Sequence, residues 1–261
     1  MNRLDLPEKA LSSLNQSRNH LFQNYAKRCD QIEDPQLEKL LWFEKYALQS
    51  YFPHLNVYDR SSKVLEIGCS RGYLLSTLQN WGFTDLSGVD LSPLDILQAQ
   101  QLLPSAHLQT ADGFEYLKAH KKSFKIIIAK AVMEHIEKNK IFEFLHHCYA
   151  ALQEEGILII DVPNMDWLFA SHERYMDFTH EVGFTKTSLE QVMGEVFPTA
   201  TIYPIDFYID ASKKWKKPIK KLLRTLSRKL IKKLLDLADP EGMGTLNPIW
   251  ERSIVGIGYK R

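Results

Sequence analysis

The stretch Val64-Leu65-Glu66-Ile67-Gly68-Cys69-Ser70-Arg71-Gly72 decides the fold of this 261-residue chain. Its apolar run followed by a glycine-bearing turn predicts a buried strand, a tight turn and a helix that begins after Gly72. Small residues in such a turn let the backbone approach a ligand closely, and the helix start offers unbonded N–H groups. The G-x-G-x-x-G pattern of dinucleotide sites is not met. A carboxylate at Glu66 suits a ligand with a cationic amino group better than a pyrophosphate.

The same alternation of strand and helix patterns continues along the chain. The apolar runs are KVLEIG, LSGVDL, HLQTAD, FKIIIAK and GILIIDV. Near-continuous apolar strands separated by helical segments indicate a parallel sheet that is covered on both faces. The right-handed crossover rule then makes a doubly wound α/β fold the simplest topology. Two further strands are predicted at residues 201–209 and 253–260.

The pattern also divides the chain. Residues 1–52 have mixed helical spacing, interrupted by the helix-breaking pair Asp34-Pro35, and we interpret them as an N-terminal helical cap. Residues 53–261 form the α/β domain. We interpret residues 211–248 as a basic helical insertion before the last strand.

Charge is concentrated in that insertion. The whole chain has a net charge of +1, but eleven Lys and Arg residues and no Asp or Glu lie between Ser212 and Leu235. Apolar residues recur at helical spacing from Pro218, which predicts a basic amphipathic helix. Three uses fit such a helix: contact of residues 213–235 with an anionic membrane, packing on the fold or a partner subunit, or binding of an anionic glycan.

Composition excludes several classes of protein. A hydrophobic fraction of 44% supports a large core. The N-terminus has no secretory signal, and no stretch approaches the roughly 18 apolar residues of a membrane span. Cys29, Cys69 and Cys148 form neither a disulfide framework nor a metal knuckle, so we expect a cytoplasmic location, with or without peripheral membrane contact.

The first turn and the strands after it resemble the class I S-adenosylmethionine-dependent methyltransferases, whose fold is Rossmann-like. Residues 66–72 follow the family motif E/D-x-G-x-G-x-G, with Ser70 at the middle glycine. Asp90 ends the second strand 22 residues after Gly68, where the family acid holds the cofactor ribose. The resemblance therefore implies S-adenosyl-L-methionine as the cofactor.

The resemblance extends to later strand ends. By the resemblance, Asp112 would accept a hydrogen bond from the adenine amino group. The alternative for Asp112 is that it only caps the following helix, and the alternative for Asp90 is that it is only a surface acid. Glu134 and His135 match a family phrase, and His135 is expected to contact substrate or cofactor or to order the loop. The cofactor-binding residues that we predict are Glu66, Gly68, Ser70, Gly72, Asp90, Leu91, Asp112, Gly113, Phe114 and Lys130.

The acceptor side follows the fifth strand. Residues 174–189 resemble a phrase, D-x-T-H followed by F-T and S-L, of the methyltransferases found with surface-polysaccharide genes. In those relatives the histidine lies near the acceptor, so His180 is the predicted general base, with Asp177 or Glu181 as its orienting partner. The alternative is a loop histidine that fixes the turn before the next helix. The predicted substrate-binding residues are His135, Arg174, Tyr175 and Asp177.

The sequence predicts no metal ligands; Asp161 and His180 are the one pair considered for sharing an ion. Our leading hypothesis is O-methylation of a sugar or glycan intermediate, lipid-linked or free. No nucleic-acid partner is expected, because the N/D-P-P-Y-type phrase is absent after the fourth strand. The alternatives are methylation of a lipid-like or quinone-like small molecule, and a non-catalytic adaptor that retains the fold. The oligomeric state is not indicated.

Overall fold

A computed structural model of the chain describes residues 21, 36–205, 217–238 and 250–261. The strands are β1 Val64–Ile67, β2 Leu86–Asp90, β3 His107–Thr110, β4 Phe124–Lys130, β5 Leu152–Pro163, β6 Ala200–Ile205 and β7 Ser253–Tyr259. The helices in these ranges are α1 Gln36–Ser50, α2 Phe52–Leu55, α3 Tyr73–Asn80, α4 Pro93–Leu102, α5 Gly113–Ala119, α6 Ile141–Ala151, α7 Ala170–Tyr175, α8 Lys186–Gly194 and α9 Lys217–Ala238. Two 3₁₀ turns, Met133–His135 and Lys138–Lys140, follow β4.

The seven strands form one sheet in the order β3-β2-β1-β4-β5-β7-β6. The first five pair in parallel, and β7 is antiparallel to β5 and β6. Glu66 of β1 lies in register with Gly88 on one side and Ile128 on the other. Because the chain leaves β1 first in one direction and later in the other, a crevice opens at the carboxyl ends of these strands. The predicted doubly wound α/β fold is confirmed.

Apolar side chains fill both faces of the sheet. Ile127 belongs to the core on one face, and its neighbours Ile126 and Ile128 belong to the core on the other. Successive strand residues point to opposite faces, so a strand that is covered on both sides must be apolar throughout. This explains the continuous apolar runs in the sequence.

For three elements, the observed bounds differ from the predicted ones, or the predicted bounds include residues that the structure does not describe. β5 begins at Leu152, four residues before the predicted start at Gly156, because Leu152 pairs with Phe124 of β4 and the regular pairing resumes at Ile157 after a register shift. β6 ends at Ile205, and the predicted residues 206–209 lie outside the described ranges. α9 has 22 residues and begins at Lys217, one residue before the apolar spacing that starts at Pro218, and it confirms a helix before the last strand. Residues 1–20 and 22–35, with the predicted break at Asp34-Pro35, lie outside the description, and the domain boundaries stay predictions.

α1 covers the carboxyl edge of the sheet and supplies the predicted N-terminal helical region. Tyr46 and Ala47 of this helix are buried, as is Tyr51 just after it. Phe43 packs on Tyr73 at the start of α3, with ring centroids 5.8 Å apart. In the described part of the chain, no helix is long and apolar enough to cross a membrane.

β7 packs closely against the segment after α8, and this closeness requires a glycine. A Cβ added to Gly258 would lie 2.6 Å from Cγ of Phe197, which is fully buried. An alanine there must displace an aromatic ring inside the core.

We predict that Gly258→Ala lowers the free energy of unfolding by about 1–3 kcal/mol, the usual cost of overpacking. Denaturant unfolding measures this change. The matched control is Gly194→Ala at the end of α8, where an added Cβ meets nothing within 4 Å. Because alanine has the higher helix propensity, the control should be stabilised by up to about 1 kcal/mol. Equal stability of Gly258→Ala and the parent chain would contradict the packing argument.

Candidate active site

A cavity of about 910 Å³ opens at the carboxyl ends of β1 to β4. Its volume lies in the range of roughly 300–1,000 Å³ that is common for small-molecule sites. The wall includes nine of the ten predicted cofactor-binding residues: Glu66, Gly68, Ser70, Asp90, Leu91, Asp112, Gly113, Phe114 and Lys130. Lys39 and Phe43 of α1 close one side of it.

The turn after β1 has the backbone conformation that its small residues allow. Gly68 has φ +70°, and a Cβ there would lie 2.5 Å from Cγ2 of Val132. Gly72 has φ +78° and begins α3. A Cβ at Gly72 would meet Leu103 at 3.0 Å and Ala99 at 3.2 Å, so this glycine packs on α4 and does not line the cavity. Its predicted cofactor contact stays a prediction.

The backbone of two turns holds the carboxylate of Asp90. The N–H of Ser70 donates to Oδ2 at 2.9 Å, and the N–H of Ser92 donates to Oδ1 at 2.8 Å. Burial raises the pKa of Asp90, and these hydrogen bonds oppose the rise. Each carboxylate oxygen has a second lone pair, so Asp90 can still accept from ligand hydroxyls.

Glu66 places a buried carboxyl group in the cavity lining. Its exposed fraction is 4%, and Oε2 has no hydrogen-bond partner among the described residues. Burial and then the charge of Asp90 hold the pKa of Glu66 well above its ordinary value. A buried, unpaired oxygen costs free energy that a ligand donor can recover. This atom therefore fits a ligand with a cationic amino group.

Asp112 has one observed role and one predicted role. Its Oδ1 accepts from the N–H of Phe114 at 2.8 Å and of Glu115 at 3.2 Å, so it caps α5. It also lines the cavity with Gly113 and Phe114. Capping and an adenine contact are therefore compatible, and the adenine contact stays a prediction.

Lys130 is held in the wall by an ion pair. Its Nζ lies 3.0 Å from Oδ2 of Asp161, whose side chain is 1% exposed. The ammonium also lies 4.4 Å from the ring centroid of Tyr46, at cation–π distance. Tyr46 was not among the predicted site residues, because a helical aromatic residue far along the chain carries no local signal of this contact.

His135 is the one predicted acceptor-side residue in the cavity lining. Its Nδ1 lies 2.9 Å from Oγ1 and 3.3 Å from the carbonyl oxygen of Thr179. The Thr179 hydroxyl donates to Oδ1 of Asp177 at 2.7 Å, so its oxygen accepts from His135. Asp177 thus orients His135 through Thr179.

His180 lies directly behind His135, with ring centroids 4.7 Å apart. Its Nδ1 lies 2.8 Å from the carbonyl oxygen of Glu173, so Nδ1 is the donor nitrogen. Arg174 donates to the carbonyls of His180 and Glu181, which fixes this loop. Tyr175 is 77% exposed. Arg174, Tyr175, Asp177 and His180 lie outside the cavity lining, and their predicted roles toward substrate stay predictions.

Glu134 lies beside the two histidines, and this group of three was not predicted from the sequence. Side-chain ligand atoms of Glu134, His135 and His180 all lie within 4.8 Å of one another. Burial raises the pKa of Glu134 to about 8. Asp161, which we had considered as an ion partner of His180, is engaged by Lys130 instead. Spacing along the chain could not show this group, because its members come from different loops.

These residues fit the expected cofactor. The unpaired oxygen of Glu66 suits the amino group of S-adenosyl-L-methionine, and the carboxylate of Asp90 suits its ribose hydroxyls. The glycine turn leaves room for close approach of the ligand to the backbone.

We predict that Asp90→Ala weakens binding of S-adenosyl-L-methionine by about 10- to 100-fold, because hydrogen bonds to a charged group contribute roughly 1.5–3 kcal/mol. Isothermal titration calorimetry measures the affinity. Asp59→Ala is the control, since this exposed acid precedes β1 at the opposite edge of the sheet. Unchanged affinity in Asp90→Ala would remove Asp90 from the site.

Comparisons with known proteins agree with this geometry. Residues 43–196 match the family model described as a methyltransferase domain. The trans-aconitate 2-methyltransferases of Shigella dysenteriae and Enterobacter sp. are 24% identical over 132 residues and 26% identical over 138 residues. These matches cover 50% and 52% of this chain, and the chain spans about half the length of these relatives.

Two solved structures share the fold. A SAM-dependent methyltransferase from Archaeoglobus fulgidus has a TM-score of 0.60 at 20% identity, covering 87% of this chain and 100% of its own. The plantazolicin methyltransferase BamL, in complex with a triazolic desmethylPZN analog and SAH, has a TM-score of 0.56 at 14% identity, and the match covers 97% of this chain and 99% of BamL. Because the family model matches more than half of the sequence, the chain belongs to the family of methyltransferase domains, and its cofactor is S-adenosyl-L-methionine.

Proposed function

We propose that this chain transfers the methyl group of S-adenosyl-L-methionine to a hydroxyl of a sugar or glycan intermediate, and that His135 and His180 handle the hydroxyl proton. One observation carries the proposal. His135 lines the cofactor cavity, and the ring of His180 lies 4.7 Å behind it. An imidazole pair beside the methyl donor suits a nucleophile that must lose a proton.

The bound cofactor supplies an electrophilic methyl group on a sulfonium centre. A hydroxyl attacks it efficiently only when a base takes the proton. Both histidines use Nδ1 as a donor, so Nε2 is the proton-accepting nitrogen of each neutral ring. The cavity lining favours His135 for direct contact with the acceptor, with His180 as the second imidazole of the pair. This assignment refines our expectation that His180 alone is the base.

Two features support a hydroxyl-rich acceptor. The segment that contains Asp177, Thr179 and His180 resembles the phrase of methyltransferases found with surface-polysaccharide genes. Glu137 and Lys140 at the cavity wall offer polar partners of both signs, which hydroxyl groups can use as donors and acceptors. A lipid-like or quinone-like acceptor would use fewer of these groups.

We predict that His135→Ala and His180→Ala each lower kcat by about 10²-fold or more, because general bases contribute roughly 10²–10⁴-fold. Binding of S-adenosyl-L-methionine should stay within about 2-fold, since neither variant removes a carboxylate partner of the cofactor. The assay screens nucleotide-linked and lipid-linked sugars and quantifies the demethylated cofactor. His107→Ala is the matched control, because His107 is an exposed residue on β3. Undiminished turnover in both site variants would show that His135 and His180 do not transfer the proton.

A carboxylate acceptor is the second candidate function. Lys39, Lys130 and Lys140 line the cavity, and the relatives found above are named for methylation of trans-aconitate, which carries carboxylates. A carboxylate is anionic at neutral pH and needs no base. Turnover of a tricarboxylate that survives both histidine substitutions would therefore favour this candidate over the hydroxyl acceptor.

We also propose that residues 213–235 bring the enzyme to an anionic membrane surface, where a lipid-linked acceptor would reside. Seven apolar residues of α9 have exposed fractions of 53–71%: Ile219, Leu222, Leu223, Leu226, Leu230, Leu234 and Leu237. The same helix sequence is rich in Lys and Arg. Exposed leucines beside basic residues suit an interfacial position, with about 1 kcal/mol for each basic residue near the surface.

We predict that the full chain floats with vesicles of phosphatidylcholine and phosphatidylserine but not with phosphatidylcholine alone, because anionic lipid supplies the charge attraction. Leu226→Glu with Leu230→Glu should abolish flotation, and high salt should weaken it. Leu97→Glu is the matched control, because Leu97 is 54% exposed but lies on α4. Equal flotation with and without phosphatidylserine in the vesicles would overturn the proposal. Loss of a dimer in the double variant, seen by sedimentation, would favour a partner-subunit interface.

A further inference from the structure

We propose that Glu134, His135 and His180 form a site for one divalent transition-metal cation beside the cofactor cavity. A ligand atom of each side chain lies within 4.8 Å of the other two. Nitrogen and oxygen ligands lie about 2.1 Å from such a cation, so three evenly spaced ligands of one ion are at most about 3.6 Å apart. Side-chain shifts of up to about 1 Å bring the three atoms into coordination range.

The carboxylate of Glu134 is an independent sign of a missing partner. The residue is 2% exposed, and its Oε2 has no hydrogen-bond partner among the described residues. The ammonium of Lys130, which also lies on this side of the cavity, is paired with Asp161 at 3.0 Å. A buried carboxylate oxygen without a partner is costly, and a cation bound between Glu134 and the histidines would satisfy it.

The hydrogen bonds around the two histidines follow the pattern that is typical of metal-binding histidines. Ligating histidines usually donate their other ring nitrogen to a carbonyl, a carboxylate or a similar acceptor, which fixes the ring orientation. Nδ1 of His180 donates to the carbonyl of Glu173 at 2.8 Å. Nδ1 of His135 donates to Thr179, whose hydroxyl is fixed by Asp177. This arrangement assigns Nε2 of both rings to the cation.

The ligand types select the class of cation. Two imidazoles with one carboxylate suit Mn²⁺, Fe²⁺, Co²⁺ or Zn²⁺ better than Ca²⁺ or Mg²⁺, which prefer oxygen ligands. Three protein ligands leave positions open for water or an acceptor oxygen. His135 lines the cofactor cavity, so a cation held by this residue would lie beside that cavity.

In the proposed hydroxyl methylation, the cation would take the place of the imidazole base, and only this step rests on that function. A hydroxyl that coordinates a divalent cation loses its proton at lower pH, because the cation stabilises the alkoxide. His135 and His180 would then act as ligands, and the proton would leave to solvent. Cation binding itself is independent of the acceptor.

The test uses the full chain after dialysis against EDTA, titrated with CoCl₂ and followed by calorimetry and by the visible absorption of the bound ion. We expect one site per chain. Glu134→Gln, His135→Ala and His180→Ala should each weaken Co²⁺ binding by more than about 100-fold, since the loss of an outer partner already costs about 10- to 100-fold. His107→Ala should bind as the parent does. Retained affinity for S-adenosyl-L-methionine shows that each variant is folded.

Two results would overturn the cation site: no Co²⁺ binding by the parent chain, or binding that all three substitutions leave unchanged. The function and the cation site fail in different ways. Co²⁺ binding without any hydroxyl methylation leaves the site and removes the function. Hydroxyl methylation that is unaffected by EDTA, in a chain that does not bind Co²⁺, leaves the imidazole base and removes the site.

Discussion

The buried carboxylate of Asp161 joins α1 and the residue just after it to the edge of the sheet at which the cavity opens. It accepts hydrogen bonds from the hydroxyls of Tyr46, at 2.7 Å, and Tyr51, and it pairs with Lys130 of β4 at 3.0 Å. Burial raises the pKa of both tyrosines, which keeps their hydroxyls protonated as donors. A carboxylate with an exposed fraction of 1% is tolerated only when such partners compensate its charge. The position of α1 over the cavity depends on this group.

The two ends of the cavity are built in different ways. At the cofactor end, Gly68, Ser70 and Asp90 belong to turns that directly follow β1 and β2, and backbone N–H groups hold the carboxylate. At the acceptor end, the loop after β5 is tied to the 3₁₀ turn after β4, because Glu181 donates its N–H to the carbonyl of Glu134 at 2.8 Å. Loop variation at that end can therefore change the acceptor without changing the cofactor turn.

Prediction from the sequence succeeded where the signal is local. The Glu66 to Gly72 stretch indicated a strand, a turn and a helix, and nine of the ten predicted cofactor-binding residues line one cavity. Gly72 lies outside that lining and packs on α4, because its neighbours in space come from another helix, and its cofactor contact stays a prediction. The early start of β5 was missed, since its polar residues after Leu152 carry no strand pattern although that end of the strand pairs with β4. The acceptor-side role of His180 stays a prediction, because His180 lies outside the cavity lining and its neighbour His135 reaches the cavity.

The amino-acid sequence by itself determined the α/β topology, the cofactor turn and the acid at the end of β2. Each of these depends on residues within one strand–turn–helix unit, where hydrophobic period and turn chemistry act over a few positions. Only the tertiary structure decided that Glu134 and His135 meet His180, and that Tyr46 and Tyr51 meet Asp161. Those contacts join residues 45 to 115 positions apart. They exist because sheet register and loop closure bring distant segments together, and no spacing along the chain records that.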